Sequence, residues 1–160
     1  MTIIEDTRQQ ANKHELKHKY FEENGINILR SKLPIGDYAR LDNMSLVIDT
    51  KKDIQELILD VTKDHERFKK EILRAKENGI KLIVLVENDE DVTNIEDLLE
   101  WENPRLEKSP KATTGGILFK ILNTMQKRYG VKFLFSTTKD SPSFICNILG
   151  NVEIYKENEL

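Results

Sequence analysis

The chain has 160 residues, of which 38% are hydrophobic and 33% charged, with a net charge of −3. That length allows one domain with a real core, and the longest apolar run, Leu82 to Val86, is far short of the about 20 residues a membrane span needs. A single cysteine, Cys146, excludes an internal disulfide framework and, with no signal-like opening in Thr2 to Gln10, fits a reducing, cytoplasmic setting.

In chain order, Thr2 to Asp6 reads as a short strand ending in two acids. Thr7, Arg8 and Gln9 lead into a helix with Leu16, Tyr20 and Phe21 at helical spacing and Gly25 as its stop. His14 and His18 lie four apart on that helix, a spacing that suits a metal or a plain solvated face. Asn27 to Leu33 is a strand ended by Pro34, which cannot donate to a ladder. Tyr38 to Leu41 alternates as a strand, and Asp42-Asn43 turns it into a second strand running to Lys51.

Asp53 to Asp60 is a short helix with Ile54, Leu57, Ile58 and Val61 on its apolar face. Lys63 to Glu77 is a longer helix with Phe68, Ile72 and Ala75 as its buried stripe and Asn78-Gly79 as its stop. Arg67, Lys69, Lys70, Arg74 and Lys76 cover its other faces. Lys81 to Glu87 is near-continuously apolar and predicts a strand covered on both sides. Asn94 to Trp101 reads as an acidic helix, and Asn103 to Gly116 as the one long loop. A helix from about Thr114 to Tyr129 follows, its start suited to capping by Thr114 or to holding a phosphate. Val131 to Ser136 is the last strand and Ser141 to Leu149 the last helix. Residues 1–150 make one domain, and 151–160 a frayed tail. The acids are unevenly spread: Glu87 to Glu102 holds eight and no base, so the rest of the chain is net positive and compatible with phosphate contact.

The stretch from Gly36 to Lys52 carries the chemistry. Alternation sends Leu46, Ile48 and Thr50 to one side of a strand and Val47, Asp49 and Lys51 to the other. Pairing through the Asp42-Asn43 turn brings Asp37 to the same end of the sheet as Asp49. Two carboxylates and an ammonium on one patch suit a hard divalent cation such as Mg2+, with substrate phosphate and water completing its shell. Lys51 can then orient an attacking water or offset transition-state charge.

Asp37, a gap of eleven residues, then Asp49-X-Lys51 resembles the PD-(D/E)XK nuclease signature. Gly36-Asp37-Tyr38 with Asp49-Thr50-Lys51 resembles, more narrowly, the GDY and ERK motifs of the XPF-type structure-specific DNA nuclease domain. Asp49 stands for the family's Glu and Thr50 for its Arg. Asp6-Thr7-Arg8-Gln9 is similar to the D-X-R-E that opens such domains, with Gln9 replacing Glu. Arg67 matches an Arg of the family's helix, Glu71 stands where a Gln follows four residues on, and Leu82 to Glu87 is similar to its strand ending in Glu.

The resemblance, which covers roughly Ile3 to Glu87, implies an α/β restriction-endonuclease-like fold with a central mixed sheet flanked by helices on both sides. It implies Mg2+-dependent hydrolysis of DNA phosphodiester bonds, with Mn2+ able to substitute, at branched, flap or fork structures in repair or recombination. Asp37, Asp49 and Lys51 would be catalytic. Asp6, which could equally cap the following helix, would join Asp37 and Asp49 at the metal. Arg8, Lys52, Arg67 and Lys70 would contact DNA, with Glu71 supporting the site. The lack of a helix-hairpin-helix pair resembles the compact, stand-alone versions carried by phages and prophages. Family members pair through late helices, which points to a homodimer and to Phe144, Ile145, Ile148 and Leu149 as its apolar patch. Replacing Asp49 or Lys51 is expected to leave the fold standing. The rival is a non-catalytic DNA- or protein-binding module that has kept the nuclease fold.

Overall fold

Six strands build one sheet: β1 (Thr2–Glu5), β2 (Asn27–Arg30), β3 (Tyr38–Arg40), β4 (Asn43–Lys51), β5 (Lys81–Glu87) and β6 (Lys132–Ser136), in the order β2-β1-β3-β4-β5-β6. The structure is a computed structural model, and it describes residues 1–10 and 14–157. The sheet is mixed, as expected. β1 runs parallel to β2 and antiparallel to β3, and β3 is antiparallel to β4, with a register shift between Ala39 and Arg40. β4, β5 and β6 are parallel, joined by helical crossovers. These crossovers are α2 (Ile54–Val61) with α3 (His65–Glu77), and α4 (Gly115–Tyr129).

Alternation along the strands decides which helices each face receives. Val47, Val84, Val86, Phe133 and Phe135 form one core with Leu57 and Val61 of α2, Phe68 and Ile72 of α3, and Leu118 and Leu122 of α4. Ile3, Tyr38, Ile48, Ile83 and Leu85 form the other. That second core takes Phe21 of α1 (Glu15–Glu23), Ile145, Ile148 and Leu149 of α5 (Ser141–Gly150) and Val152 of α6 (Val152–Glu157). Fully burying each such side chain contributes about 1.5–3 kcal/mol. Truncating one, Leu57→Ala for instance, would cost about 2–5 kcal/mol.

Several sequence expectations are corrected. β2 pairs only as far as Arg30, because the chain then turns so that the Leu33 amide donates to Asp6. The acidic stretch closes into a 3-10 turn over Ile95–Leu99, its first amides drawn to Asn94, which accepts from Asp97 N. The long loop is ordered by one buried side chain: Asn103 accepts from Gln55 and the Arg105 amide and donates to the Thr113 carbonyl. Thr114 caps α4 through the Ile117 amide. The helix expected to follow Gln9 starts at Glu15; residues 11–13 lie outside the described residues. The expected tail is helical over Val152–Glu157, since Val152 has core to cover; residues 158–160 lie outside the described residues. The expected dimer patch is interior: Ile145, Ile148 and Leu149 are buried, and only Phe144 is exposed. No helix among the described residues is long and apolar enough to cross a membrane.

Candidate active site

The three candidate acids stand side by side because of strand register. Glu5 pairs with Tyr38, and Tyr38 with Ile48. The next rung therefore holds Asp6, Asp37 and Asp49. The Asp6 amide donates to the Asp37 carbonyl and the Asp37 amide to the Ile48 carbonyl, each at 2.8 Å. Alternation turns this rung toward α2 and α3. Gly36 permits the approach. It has φ +74°, and a Cβ there would run into Cγ1 of Val47 and sit 3.1 Å from the Ile48 carbonyl oxygen.

Asp49 is 7% exposed. The Lys51 ammonium lies 2.9 Å from its Oδ2. Apart from this ion pair, Oδ2 has no hydrogen-bond partner. Burial pushes the Asp49 carboxyl well above its ordinary pKa; Lys51 opposes the shift, and the charges of Asp37 and Glu71 add to it. Lys51 is also 2.5 Å from Asp60 Oδ2 and sits 5.4 Å from the Phe68 ring centroid. Burial alone would lower the Lys51 pKa, but Asp49 and Asp60 hold it above its ordinary value. Asp37 is half-buried, and its Oδ2 accepts from both the amide and the hydroxyl of Thr50 at 2.8 Å.

The remaining candidates divide. Asp6 is buried, but its oxygens face protein donors: Oδ1 accepts from the Leu33 amide at 2.7 Å and Oδ2 from Arg8 Nε at 2.6 Å. It caps no helix. Burial disfavours the Asp6 charge, yet these donors hold its pKa below the ordinary value. Arg8 also donates to the Leu33 carbonyl and feels the charges of Asp37 and Glu71. Arg67 is exposed and paired with Asp64 at 3.3 Å, and Lys70 is exposed on α3. Lys52 lines a separate cleft of 310 Å³ with His14, Lys17 and Glu87. The expected DNA-contacting set is thus spread over more than one surface.

Among the described residues, no group of three or more His, Cys, Asp or Glu side chains forms that could hold a metal ion. The expected trio of Asp6, Asp37 and Asp49 is not gathered into such a group. Two carboxylates nonetheless fit Mg2+, which usually keeps several waters and binds through one or two carboxylates plus substrate phosphate. The buried Oδ2 of Asp49, with the Lys51 ammonium beside it and no other partner, is the observation that supports this fit.

Sequence reasoning missed Asp60, and it weighed Glu5 only as a lesser metal candidate beside Asp6. Asp60 borders the apolar stripe of α2, the helix that directly follows Lys51. Glu5 is fully buried on the opposite sheet face, where it meets Tyr38 Oη, Arg30 and His18 at 2.6–3.0 Å. Its signal was the alternation itself, which puts it with Ile3 facing a core, where an acid needs partners. Glu87, the acid that ends the apolar strand, forms a buried ion pair with Lys17 at 2.9 Å.

The ERCC4 domain family model matches residues 5–148. XPF from Aeropyrum pernix superposes with a TM-score of 0.69 at 15% sequence identity, covering 96% of this chain and 65% of that one. XPF from Aeropyrum pernix in complex with DNA gives 0.68, at the same identity and coverage. The chain spans just under two thirds of these proteins, and at this identity the likeness carries the fold alone. No curated protein matches. With the family model covering nearly all of the described core, the chain belongs to the ERCC4 domain family.

Proposed function

We propose that this domain is a Mg2+-dependent DNA endonuclease, with Mn2+ able to substitute, acting on branched, flap or fork substrates. The observation that carries the reading is Asp49. A buried carboxylate whose Oδ2 has only the Lys51 ammonium beside it, with Asp37 and Glu71 adding like charge, is costly in a plain binding module. It is serviceable in a site that awaits a cation. Asp37 and Asp49 would hold the ion. When bound, it supplies Lewis-acid stabilisation of phosphate charge and a nucleophile at neutral pH.

The chain's own residues do the positioning. Thr50 fixes the Asp37 carboxylate through two donors, so the residue standing for the family's Arg has a defined task here. Lys51, steadied by Asp60, is the group that orients the attacking water and offsets charge on the phosphate in the transition state. Asp6 orients Arg8 and the Leu33 turn beside the site. Arg8, 61% exposed, offers its guanidinium to a DNA phosphate, with Lys70 further along α3. Pairing of two chains belongs to the same proposal by family resemblance, through a face other than the buried 145–149 stripe.

The test is cleavage of flap, fork, four-way junction and linear duplex DNA with Mg2+ or Mn2+. The reading expects metal-dependent nicking of at least one branched substrate. A wild type that cleaves none of them with either metal would sink the nuclease and leave the binding module.

A further inference from the structure

The amino ends of β5 and β6 carry a basic patch that the active site does not use. A cleft of 360 Å³ there is lined by Lys76, Lys81, Lys127 and Arg128, and no acidic residue lines it among the described residues. It continues into a second cleft of 220 Å³ that shares Lys76 and Lys81 and has Tyr129 in its wall. Lys76, Lys127 and Arg128 form no ion pair among the described residues, whereas Arg67, the basic residue singled out by motif, is paired with Asp64.

Helix ends explain part of this charge. α3 and α4 both terminate here, and bases in the last turn offset the macrodipole. Each end carries roughly half a negative charge. Two ends therefore offset about one of the three positive charges on Lys76, Lys127 and Arg128, and the rest face solvent unmatched. Tyr129 adds an aromatic ring, with the Lys69 ammonium 5.9 Å from its centroid.

The place of the patch fits a nucleic-acid backbone. It lies on the α3/α4 side of the sheet, the side toward which the Asp49 rung points. Along β4, Lys81 pairs with Leu46, Val84 with Asp49 and Val86 with Lys51. The three steps to Asp49 span about 10 Å and the five to Lys51 about 17 Å, at about 3.3 Å per residue. Duplex rises about 3.4 Å per base pair, so these spans are about three to five base pairs. We infer that Lys76, Lys127 and Arg128 form a second phosphate-tracking surface, which holds a duplex arm about three to five base pairs from the phosphate presented to Asp49 and Lys51. This rests on the nucleic-acid reading of the site and adds where the substrate lies.

The experiment is equilibrium binding of the full chain to a 20-base-pair duplex (about two helical turns) in EDTA, across about 50–200 mM salt. Lys127→Ala/Arg128→Ala, with and without Lys76→Ala, is compared with the charge-matched Lys19→Ala/Lys139→Ala on the other side of the sheet. Each lost phosphate contact lowers the slope of log K against log salt by about 0.9. The double variant should therefore lose about two units of slope and bind about tenfold or more weakly at low salt, with the triple weaker still and the control at wild-type values. Wild-type affinity and slope in the triple variant would overturn the inference and point to an acidic protein as the partner of the patch. Equal losses in the control would also overturn it, since only net charge would then matter. Because binding is read without metal, a wild type that binds through the patch but cleaves nothing overturns the nuclease and leaves this surface standing.

Discussion

Oδ2 of Asp49 lies 2.9 Å from the Lys51 ammonium, and apart from this ion pair it is buried without a hydrogen-bond partner. Lys51 also contacts Asp60, at 2.5 Å, while the charges of Asp37 and Glu71 add repulsion at Asp49. Lys51 therefore meets two acids, whereas Asp49 has one cation set against two further negative charges.

Lys51→Ala should unsettle the fold, contrary to the reading from sequence alone. It would leave Asp49 and Asp60 facing each other with little solvent, at 11% and 17% side-chain exposure. Breaking a buried pair by removing one partner costs about 3–5 kcal/mol. Urea denaturation at pH 7 should show a loss of that size, smaller in acid, where the Asp49 carboxyl takes up its proton. Under conditions where the variant is folded, cleavage should still fall about 100- to 1,000-fold, as expected for a lost transition-state partner. An unchanged denaturation midpoint at pH 7 would mean that Lys51 does not hold the two acids.

Gly36→Ala should damage stability and activity together. The residue sits at φ +74° with Val47 and the Ile48 carbonyl against the place of a Cβ. The left-handed conformation costs about 1–2 kcal/mol for a side-chain residue, and overpacking adds about 1–3 kcal/mol. Gly25→Ala is the control. Its φ is +67°, but no atom lies within 4 Å of the added carbon. Thermal melts should show Gly36→Ala as the larger loss by far, with cleavage reduced because Asp37 follows directly. Equal shifts for the two would remove the steric argument.

Asp6→Asn separates orientation from ligation. The native carboxylate accepts from Leu33 N and Arg8, which holds its pKa low. Such a group stabilises the fold above the ordinary Asp value of about 3.9, and that stability is lost as pH falls through the lowered pKa. The variant should lose about 1–2 kcal/mol at pH 7, and the difference from wild type should shrink in strong acid. Its Mg2+ affinity should move much less than that of Asp37→Asn, measured by calorimetry. Equal loss of affinity in the two would return Asp6 to the metal.

What could be read from sequence follows a physical boundary. Period-two alternation is local, so β4 and the shared side of Asp49 and Lys51 were legible from Leu46 to Lys51 alone. Register between β3 and β4 was not: the turn falls at Leu41-Asp42 instead of Asp42-Asn43, Asn43 already belongs to β4, and the shift between Ala39 and Arg40 sets which residues meet. Partner choice is not local. Asp60 reaches Lys51 only because α2 folds back over the sheet, and Glu5 finds His18 and Arg30 across two other elements. The same limit explains the 145–149 stripe. Its helical spacing was visible, but whether it faced a partner or a core depended on α6 and α1 closing over it. The motif that named Arg67 could not reveal that Asp64 occupies it.

The raised pKa of Asp49 makes the sharpest prediction. A carboxyl that holds its proton more tightly when folded gains stability from that proton below its folded pKa. The gain disappears as pH rises from the unfolded value, about 3.9, through the raised one. In that window the folded state binds more protons than the unfolded, so stability falls with rising pH. Asp49→Asn has no proton to lose there. Its melting temperature relative to wild type should therefore climb as pH rises through the window, and at neutral pH it should match or exceed wild type in the absence of metal. Mg2+ reverses the order. An ion bound only by the folded state adds about 2.7 kcal/mol at a hundred times its dissociation constant, and only the wild type should receive it. Cleavage by the variant should be abolished, while DNA binding in EDTA persists or tightens, since one negative charge facing phosphate is gone. Melting curves at several pH values, with EDTA and with Mg2+, decide the matter. If wild-type stability relative to the variant rises with pH and Mg2+ shifts neither protein, Asp49 is simply the counter-ion of Lys51, and the site is not built for a cation.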